Sequence, residues 1–310
     1  MKTIKLIFAG TDGIGSELLR ALYEDPHFEV KLVITGPDRP AGRKMELQAS
    51  PIKKVAGGLG LDVFQPENIN SAESLAKLRA LQPDFLVVMA YGQILNQEVL
   101  DAARQDCLNV HASLLPKYRG ASPIQSSLLN GDKETGISLM KMVKDMDAGP
   151  VFSRFELPIE ESDTGSSLSQ KLGHLAAKEV PRAILELTSG KLEAQPQNED
   201  EVSYVKKISK SDGLIDWQED ATIIRNKIRA FDPWPGAYTF FEGRRLKILS
   251  AEAREQTKSS VQPGTVDQEG IVCRKGLLRP LEVQPEGKGR QSFKDFINGH
   301  PDFVGSRLGA

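Results

Sequence analysis

The chain has 310 residues, of which 39% are hydrophobic and 26% charged, and its formal net charge is −2. This composition is typical of a globular protein with about two domains, and two cysteines exclude a disulfide scaffold. No apolar run is long enough for a signal peptide or a membrane span, so we expect a soluble cytoplasmic protein without membrane contact.

Short apolar runs alternate with amphipathic stretches through the first half of the chain. They predict strands at residues 4–9, 30–35, 85–90, 106–111, 137–142 and 151–158. Helices are predicted around residues 71–81 and 164–188, and after Ser50-Pro51 and Ser122-Pro123, which combine an N-cap with proline at the first helical position. This alternation predicts a doubly wound, mostly parallel Rossmann-like α/β sheet, whose ligands lie beyond the carboxyl ends of the strands.

The last third of the chain has a different pattern. Residues 192–205 begin with a polar, acidic, aperiodic stretch and are predicted as a linker between a domain at 1–191 and a domain at 206–310. In the second domain, turn signals separate short strand candidates at residues 237–241, 246–250, 264–267, 270–274 and 281–284. Strands of this length and spacing predict a small OB-like β-barrel.

The charge is unevenly distributed between these two regions. Residues 206–310 contain 18 basic and 14 acidic residues, whereas residues 1–205 contain 22 basic and 28 acidic residues. A basic excess on one domain favours a polyanionic partner, although chance scatter of charge gives the same count.

The turn after the first strand has glycines but not the spacing of a dinucleotide site. Its sequence, Gly10-Thr11-Asp12-Gly13-Ile14-Gly15, follows the order G-x-x-G-x-G, and the second strand ends without an acidic residue for a ribose. We therefore expect a tight strand-to-helix turn rather than a nicotinamide site. The cysteines, Cys107 and Cys273, lack a second ligand at zinc spacing, so no metal is expected.

An amide and an imidazole end one of the predicted parallel strands. Asn109 and His111 are two residues apart on that strand, so their side chains share a face. Such a pair can stabilise an oxyanion and move a proton, although a capped strand end with a satisfied histidine has the same residue types. A carboxylate would orient the imidazole, and spacing alone does not choose among Asp132, Glu134, Asp145 and Asp147.

The run NVHASLLPKYRGASPI at residues 109–124 is similar to the signature of the folate-dependent formyltransferases. The segments NGDKETGISLM at 130–140 and MDAGP at 146–150 resemble the same family. The resemblance implies that Asn109, His111 and Asp147 are the catalytic residues. It also implies folate contacts from Ser113, Leu114, Leu115 and Pro116, with Met89, Tyr91 and Ile94 lining a pterin pocket.

Within the family, the likeness is strongest to the members that formylate methionyl-tRNA. It lies in FAGT at residues 8–11, PDRPAGR at 37–43, SPIK at 50–53, IDW at 215–217 and IRAFDPWPGA at 228–237. The resemblance implies transfer of the formyl group of 10-formyltetrahydrofolate to the α-amine of initiator methionyl-tRNA. We expect the protein to be a monomer without a metal. The implied tRNA contacts are Arg39, Arg43, Lys44, Lys206, Lys207 and Lys210.

Alternatives from two classes remain open. A formyltransferase for glycinamide ribonucleotide or a sugar-nucleotide amine, or the hydrolase part of formyltetrahydrofolate dehydrogenase, would share the three catalytic residues. A non-catalytic RNA-binding protein with a degenerate α/β body is the alternative from another class. The basic loop at residues 37–44 and the C-terminal domain favour tRNA as the acceptor.

Overall fold

The computed structural model describes residues 3–41, 45–255 and 261–309, with the side chain of Ala41 left out. The chain divides into two compact units, each built from three segments. The first comprises Met1–Gly120, Glu134–Pro158 and Ser169–Val205, and the second comprises Ala121–Lys133, Ile159–Leu168 and Lys206–Ala310. The predicted domain boundaries, 1–191, 192–205 and 206–310, stay a prediction. The division into units differs from them in that residues 192–205 belong to the first unit.

The elements up to residue 205 are a mixture of strands and helices. The strands are Ile4–Gly10 (β1), Phe28–Ile34 (β2), Arg39–Ala41 (β3), Glu46–Gln48 (β4), Val63–Phe64 (β5), Phe85–Met89 (β6), Asp106–His111 (β7), Arg119–Gly120 (β8), Glu134–Lys141 (β9), Val151–Pro158 (β10) and Tyr204–Val205 (β11). The helices are Ser16–Glu24 (α1), Pro51–Gly58 (α2), Ala72–Leu81 (α3), Gln97–Leu100 (α4), Pro123–Leu129 (α5) and Gly165–Thr188 (α6).

The first unit is organised around a twisted sheet with the strand order β10-β9-β7-β6-β1-β2-β5. The neighbours from β7 to β5 pair in parallel, whereas β9 pairs antiparallel with β7 and β10 pairs antiparallel with β9. Strand β6 is buried along its whole length, as expected for a parallel strand covered on both faces. The predicted doubly wound, mostly parallel sheet is confirmed.

Serine caps begin several of the helices. The Ser50 hydroxyl accepts a hydrogen bond from the Lys53 amide at 3.0 Å, and the Ser71 hydroxyl accepts one from the Ser74 amide at 3.2 Å. Ser122 precedes α5 as predicted, but its side chain makes no capping bond and donates to the backbone carbonyl of Lys206 at 2.5 Å. In the turn after β1, the Asp12 carboxylate accepts from the Ile14 amide at 3.1 Å and begins a short 3₁₀ helix.

The second unit contains an antiparallel sheet covered by a helix. Its strands are Tyr238–Phe241 (β12), Arg244–Arg254 (β13), Ile271–Val272 (β14), Leu277–Pro285 (β15) and Gln291–Ser292 (β16), and its further helices are Ala221–Ala230 (α7) and Phe293–Asn298 (α8). The order is β12-β13-β15-β14, with β16 beside β15. Trp217, Ile224 and Phe296 belong to the buried core of this unit. A small antiparallel β domain after the α/β sheet is thus confirmed.

One predicted strand of the second unit does not form a ladder. Around residues 264–267 the described chain makes only isolated bridges, Thr265 with Arg307 and Val266 with Ile271. The reason is a turn, because the Thr265 amide bonds the carbonyl of Gln262 and Gly264 has φ +89°. Only single residue pairs can form where the chain bends in this way.

None of the described helices combines the length and the apolar character that crossing a membrane requires.

Candidate active site

Strand β7 presents an amide and an imidazole at its carboxyl end. Asn109 and His111 are two residues apart on this strand, and both face the carboxylate of Asp147. The Asn109 side-chain amide donates to Asp147 Oδ1 at 3.2 Å, and His111 Nδ1 lies 3.7 Å from Asp147 Oδ2. The structure therefore brings the three residues proposed as catalytic to one place, as alternation along the strand requires.

The hydrogen bonds of His111 define which ring nitrogen carries a proton. His111 is buried, and its Nε2 lies 2.9 Å from the backbone carbonyl oxygen of Tyr118. Because a carbonyl oxygen only accepts, Nε2 is the donor of this bond. In the neutral imidazole the lone pair is therefore on Nδ1, the nitrogen that faces Asp147.

Asp147 is held by a loop with an unusual backbone. Its φ is +51°, in the left-handed region that aspartate tolerates better than most residues. The Gly120 amide donates to Asp147 Oδ2 at 2.8 Å, so both carboxylate oxygens have a donor. Asp145, two residues earlier, is exposed, and its carbonyl accepts from the Ala148 amide. Of the two carboxylates in this loop, Asp147 is the one beside Asn109 and His111.

A glutamine that the sequence did not single out lies under this loop. Gln197 is buried, and its side-chain nitrogen donates to the carbonyl oxygens of Asp147 and Gly149 at 2.7 and 2.8 Å. Its side-chain oxygen accepts from Arg119 Nε at 3.1 Å. Gln197 falls in the aperiodic stretch predicted as a linker, where no sequence signal marks it.

Arg119 is the largest of the described side chains that are almost fully buried, with 1% of its surface exposed. Its guanidinium donates to Glu199 at 2.7 Å and to the hydroxyl of Tyr204 at 3.3 Å. Burial opposes its charge, but the hydrogen bonds to Glu199 and Tyr204 outweigh burial, so the pKa of Arg119 is raised. The same contact lowers the pKa of Glu199.

The segment expected to contact folate forms a tight turn after β7. Ser113 is buried, and its hydroxyl donates to the carbonyl oxygen of Lys117 at 2.6 Å. Leu115 and Pro116 are also buried, whereas Leu114 is half-buried. The side chains of this segment are thus mostly engaged within the protein, and their contact with folate stays a prediction.

The three residues expected around a pterin differ in their exposure. Met89 and Tyr91 are buried, whereas 77% of Ile94 is exposed. Burial raises the pKa of Tyr91 to about 12, so its hydroxyl stays protonated near neutral pH. This hydroxyl has no hydrogen-bond partner within the described part of the chain. A pterin contact of these residues also stays a prediction.

The basic residues expected to meet tRNA are on the surface wherever they are described. Arg39 is 71% exposed and pairs with Glu67 at 3.1 Å. Lys206, Lys207 and Lys210 are exposed. Arg43 and Lys44, which belong to the predicted contact, lie outside the described residues. The described part of this loop, β3 and β4, pairs antiparallel, and Leu47 is exposed.

The described residues contain no group of three or more histidine, cysteine, aspartate or glutamate side chains arranged to hold a metal ion.

Family models match both parts of the chain. The model described as formyl transferase matches residues 1–184, and the model described as formyl transferase, C-terminal domain, matches residues 207–301. The first match alone covers more than half of the sequence, so the chain belongs to the formyl transferase family. The resemblance predicted from residues 109–124 is thereby confirmed.

Individual relatives and solved structures are similar to nearly the whole chain. A methionyl-tRNA formyltransferase of Methylococcus capsulatus is 43% identical over 310 residues, which cover 99% of this chain and all of the relative. The solved structure of a methionyl-tRNA formyltransferase from Clostridium thermocellum has a TM-score of 0.60 at 16% identity, covering 91% of this chain and 98% of that one.

A second solved structure is longer than this chain. HypX from Aquifex aeolicus, in complex with tetrahydrofolic acid, matches 98% of this chain with a TM-score of 0.63 at 16% identity. This chain spans 48% of the length of HypX. At 16% identity, the two solved structures share the fold with this chain, and nothing more follows from them.

Proposed function

We propose that this chain transfers the formyl group of 10-formyltetrahydrofolate to the α-amino group of initiator methionyl-tRNA, in the cytoplasm and as a monomer. The observation that carries the proposal is the convergence of Asn109 and His111 on Asp147. It occurs in a chain that is 43% identical over its full length to a relative named methionyl-tRNA formyltransferase.

Asn109 is suited to stabilise the tetrahedral intermediate. Attack of the amine on the formyl carbon forms a C–N bond and places a negative charge on the formyl oxygen. The Asn109 amide has two hydrogens, and one of them is bonded to Asp147, which leaves the other for this oxyanion. Loss of one oxyanion donor typically costs about 3 kcal/mol, or two to three decades in rate.

His111 and Asp147 are suited to accept the proton that the amine must lose. Because Nε2 is bonded to the Tyr118 carbonyl, the proton is taken up on the Asp147 side of the ring, at Nδ1 or at the carboxylate. Proton uptake at Nδ1 forms an imidazolium next to an opposite charge, which favours it. The bond from the formyl carbon to N10 of the folate then breaks, and N10 takes up a proton.

The choice of tRNA as acceptor depends on other residues. A sugar-nucleotide amine or glycinamide ribonucleotide would use the same three catalytic side chains. Residues 206–310 favour a polyanionic acceptor, because this part of the chain has a basic excess and includes the exposed Lys206, Lys207 and Lys210. Full-length identity to a methionyl-tRNA formyltransferase supports the same acceptor.

The test is direct formyl transfer in a purified system. The protein is incubated with 10-formyltetrahydrofolate and, in separate reactions, methionyl initiator tRNA, methionyl elongator tRNA, glycinamide ribonucleotide and an amino-sugar nucleotide. We expect N-formylmethionine on the initiator tRNA. Formylation of a small amine in its place would overturn the acceptor, and RNA binding without any formyl transfer would leave the non-catalytic alternative.

A further inference from the structure

Gln197 connects the loop of Asp147 to a buried arginine. Its side-chain nitrogen donates to two carbonyl oxygens of that loop, and its side-chain oxygen accepts from Arg119. We propose that Gln197 is a positioning residue that holds the Asp147 carboxylate against Asn109 and His111. This inference rests on the proposed function, in which Asp147 takes part in proton transfer.

The loop has few other means of keeping its shape. Residues 143–146 are exposed, and Met146, next to Asp147, is 58% exposed. Asp147 itself has a left-handed backbone, a conformation that persists only where neighbouring contacts hold it. The two carbonyls bonded by Gln197 belong to Asp147 and to Gly149, so the side chain clamps the loop on both sides of Ala148.

The chemistry of the clamp requires a carboxamide. The two carbonyl oxygens of the loop need two N–H donors, and Arg119 needs an acceptor. A glutamine side chain has two N–H donors on its nitrogen and an acceptor oxygen, so it satisfies all three partners. Arg119 Nε is a donor only, so the amide oxygen must face it and the amide nitrogen must face the loop. Arg119 is in turn held by Glu199 and Tyr204. The orientation of the amide is therefore determined by its partners.

Gln197 and the Gly120 amide bond different parts of Asp147. Gly120 bonds the side-chain oxygen Oδ2 of Asp147, whereas Gln197 bonds the backbone oxygen of the same residue. Both the main chain and the side chain of Asp147 are thus held by groups outside its loop. Gln197 contacts neither Asn109 nor His111 within hydrogen-bond distance in the described residues, so its effect passes through Asp147.

The test is Gln197→Glu, which keeps the size and the acceptor for Arg119 but removes both donors. Since a misplacement of about 1 Å can cost on the order of a hundredfold in rate, we expect kcat to fall by about ten- to a hundredfold. The KM values for both substrates should stay within about twofold.

Tyr204→Phe is the matched control, because it removes another hydrogen bond of Arg119 without touching the Asp147 loop. It should retain kcat. If Gln197→Glu fails to fold, as judged by circular dichroism, Gln197→Met carries the same test of kcat against KM. Wild-type kcat in a folded Gln197 variant, or equal losses in both Gln197→Glu and Tyr204→Phe, would overturn the proposal.

A double mutant separates this inference from the proposed function. If Gln197 acts through Asp147, then Gln197→Glu should cost less than about threefold in an Asp147→Asn background. Independent, multiplicative losses would refute the positioning role while leaving Asp147 catalytic. Full activity of Asp147→Asn alone would instead remove the proposed function of that carboxylate.

Discussion

At the scale of single residues, Asp147 combines a charge, a strained backbone and a buried neighbourhood. A left-handed φ costs a non-glycine residue about 1–2 kcal/mol, and aspartate and asparagine bear it best because their short side chains bond locally. Asparagine therefore fits the same backbone, but it has one acceptor oxygen, so Asp147→Asn removes the charge and one of the two hydrogen bonds donated by Asn109 and Gly120.

We expect Asp147→Asn to lower kcat by about two decades or more, because it removes the charge that stabilises a protonated His111. Asp145→Asn is the matched control, since Asp145 is exposed in the same loop. Formyl transfer under single-turnover conditions measures both. A larger loss in Asp145→Asn would mean that the wrong carboxylate has been assigned.

Gly149 is required by the close approach of two backbone segments. A Cβ at this position would overlap the carbonyl oxygen of Lys141, which is backbone and cannot swing away. We expect Gly149→Ala to destabilise the protein by about 1–3 kcal/mol and to lower kcat, because the loop that carries Asp147 must shift. Chemical denaturation and initial rates measure the two effects.

Gly57→Ala is the control for that substitution. A Cβ at Gly57 has open space around it, and the residue lies in α2, where alanine is favoured over glycine by up to about 1 kcal/mol. This variant should be as stable as the wild type or more stable, with normal kcat. Equal stability of the two variants would contradict the predicted clash at Gly149.

At the scale of elements, the segment from Gln197 to Val205 is held to the first unit by a buried guanidinium and a short parallel pair. Strand β11 pairs with β8, and the hydroxyl of Ser203 accepts from the Tyr118 amide at 2.9 Å. The Arg119–Glu199 bond is 2.7 Å long, with Arg119 buried and 71% of Glu199 exposed. A chain segment without helix or strand periodicity can thus be well anchored.

The lowered pKa of Glu199 predicts a pH dependence of stability. A depressed folded-state pKa means that the pair stabilises the fold above the unfolded value of 4.5 and loses this contribution as the pH falls through the folded value. The melting temperature of Glu199→Gln should therefore be below that of the wild type at neutral pH. The difference should fade well below pH 4.5.

Glu201→Gln is the comparison variant, because Glu201 is exposed in the same turn and is not bonded to Arg119 in the described residues. It should melt like the wild type across the pH series. A difference between Glu199→Gln and the wild type that persists unchanged at the lowest pH would refute the role of this carboxylate.

Much of the element structure follows from local patterns. The apolar runs predicted β7 and β10 with their observed bounds, and the serine before α2 marks an observed cap. The strand expected at 264–267 fails because its first residue belongs to the Pro263-Gly264 turn, which the bond from the Thr265 amide to the Gln262 carbonyl closes. The anchoring of Gln197 depends on partners 50 and 78 residues away, which no local pattern encodes.

In the candidate site, too, local patterns predict some features, and others depend on residues distant in sequence. The shared face of Asn109 and His111 follows from strand alternation alone, because they are two residues apart. Asp147 is 38 residues from Asn109, and its choice over Asp145 required the family resemblance. Pairs this distant in sequence meet only after the sheet has formed, so spacing cannot predict them.

At the scale of the whole molecule, the uneven charge predicts how the acceptor binds. We expect replacement of the exposed lysines of the second unit to raise the KM for methionyl-tRNA and to leave the KM for 10-formyltetrahydrofolate unchanged. If all three meet phosphates, the slope of log affinity against log salt should fall by about two. The variant carries Lys206→Ala, Lys207→Ala and Lys210→Ala.

The control removes the same charge from exposed positions of the first unit, with Lys77→Ala, Lys178→Ala and Lys191→Ala. This control should keep the wild-type salt slope, because loss of positive charge away from the predicted RNA contacts releases no counterions on binding. Equal slopes for the two triple variants would count against Lys206, Lys207 and Lys210 as RNA contacts, while the assignment of the catalytic residues would stand.

The interleaving of the two units imposes an order on their completion during synthesis. All three segments of the first unit have been made once residue 205 is joined, but segments 121–133 and 159–168 of the second unit precede the partners they pack against in 206–310. Helix α5 packs against α7, and Glu161 pairs with Arg225, so both lack these partners until the later segment has been made. At about 5–20 residues per second, the interval from residue 133 to residue 206 lasts about 4–15 s. A nascent chain therefore contains its complete first unit while residues 121–133 and 159–168 still lack their packing partners in 206–310. A chain that stops at residue 205 would never supply these partners.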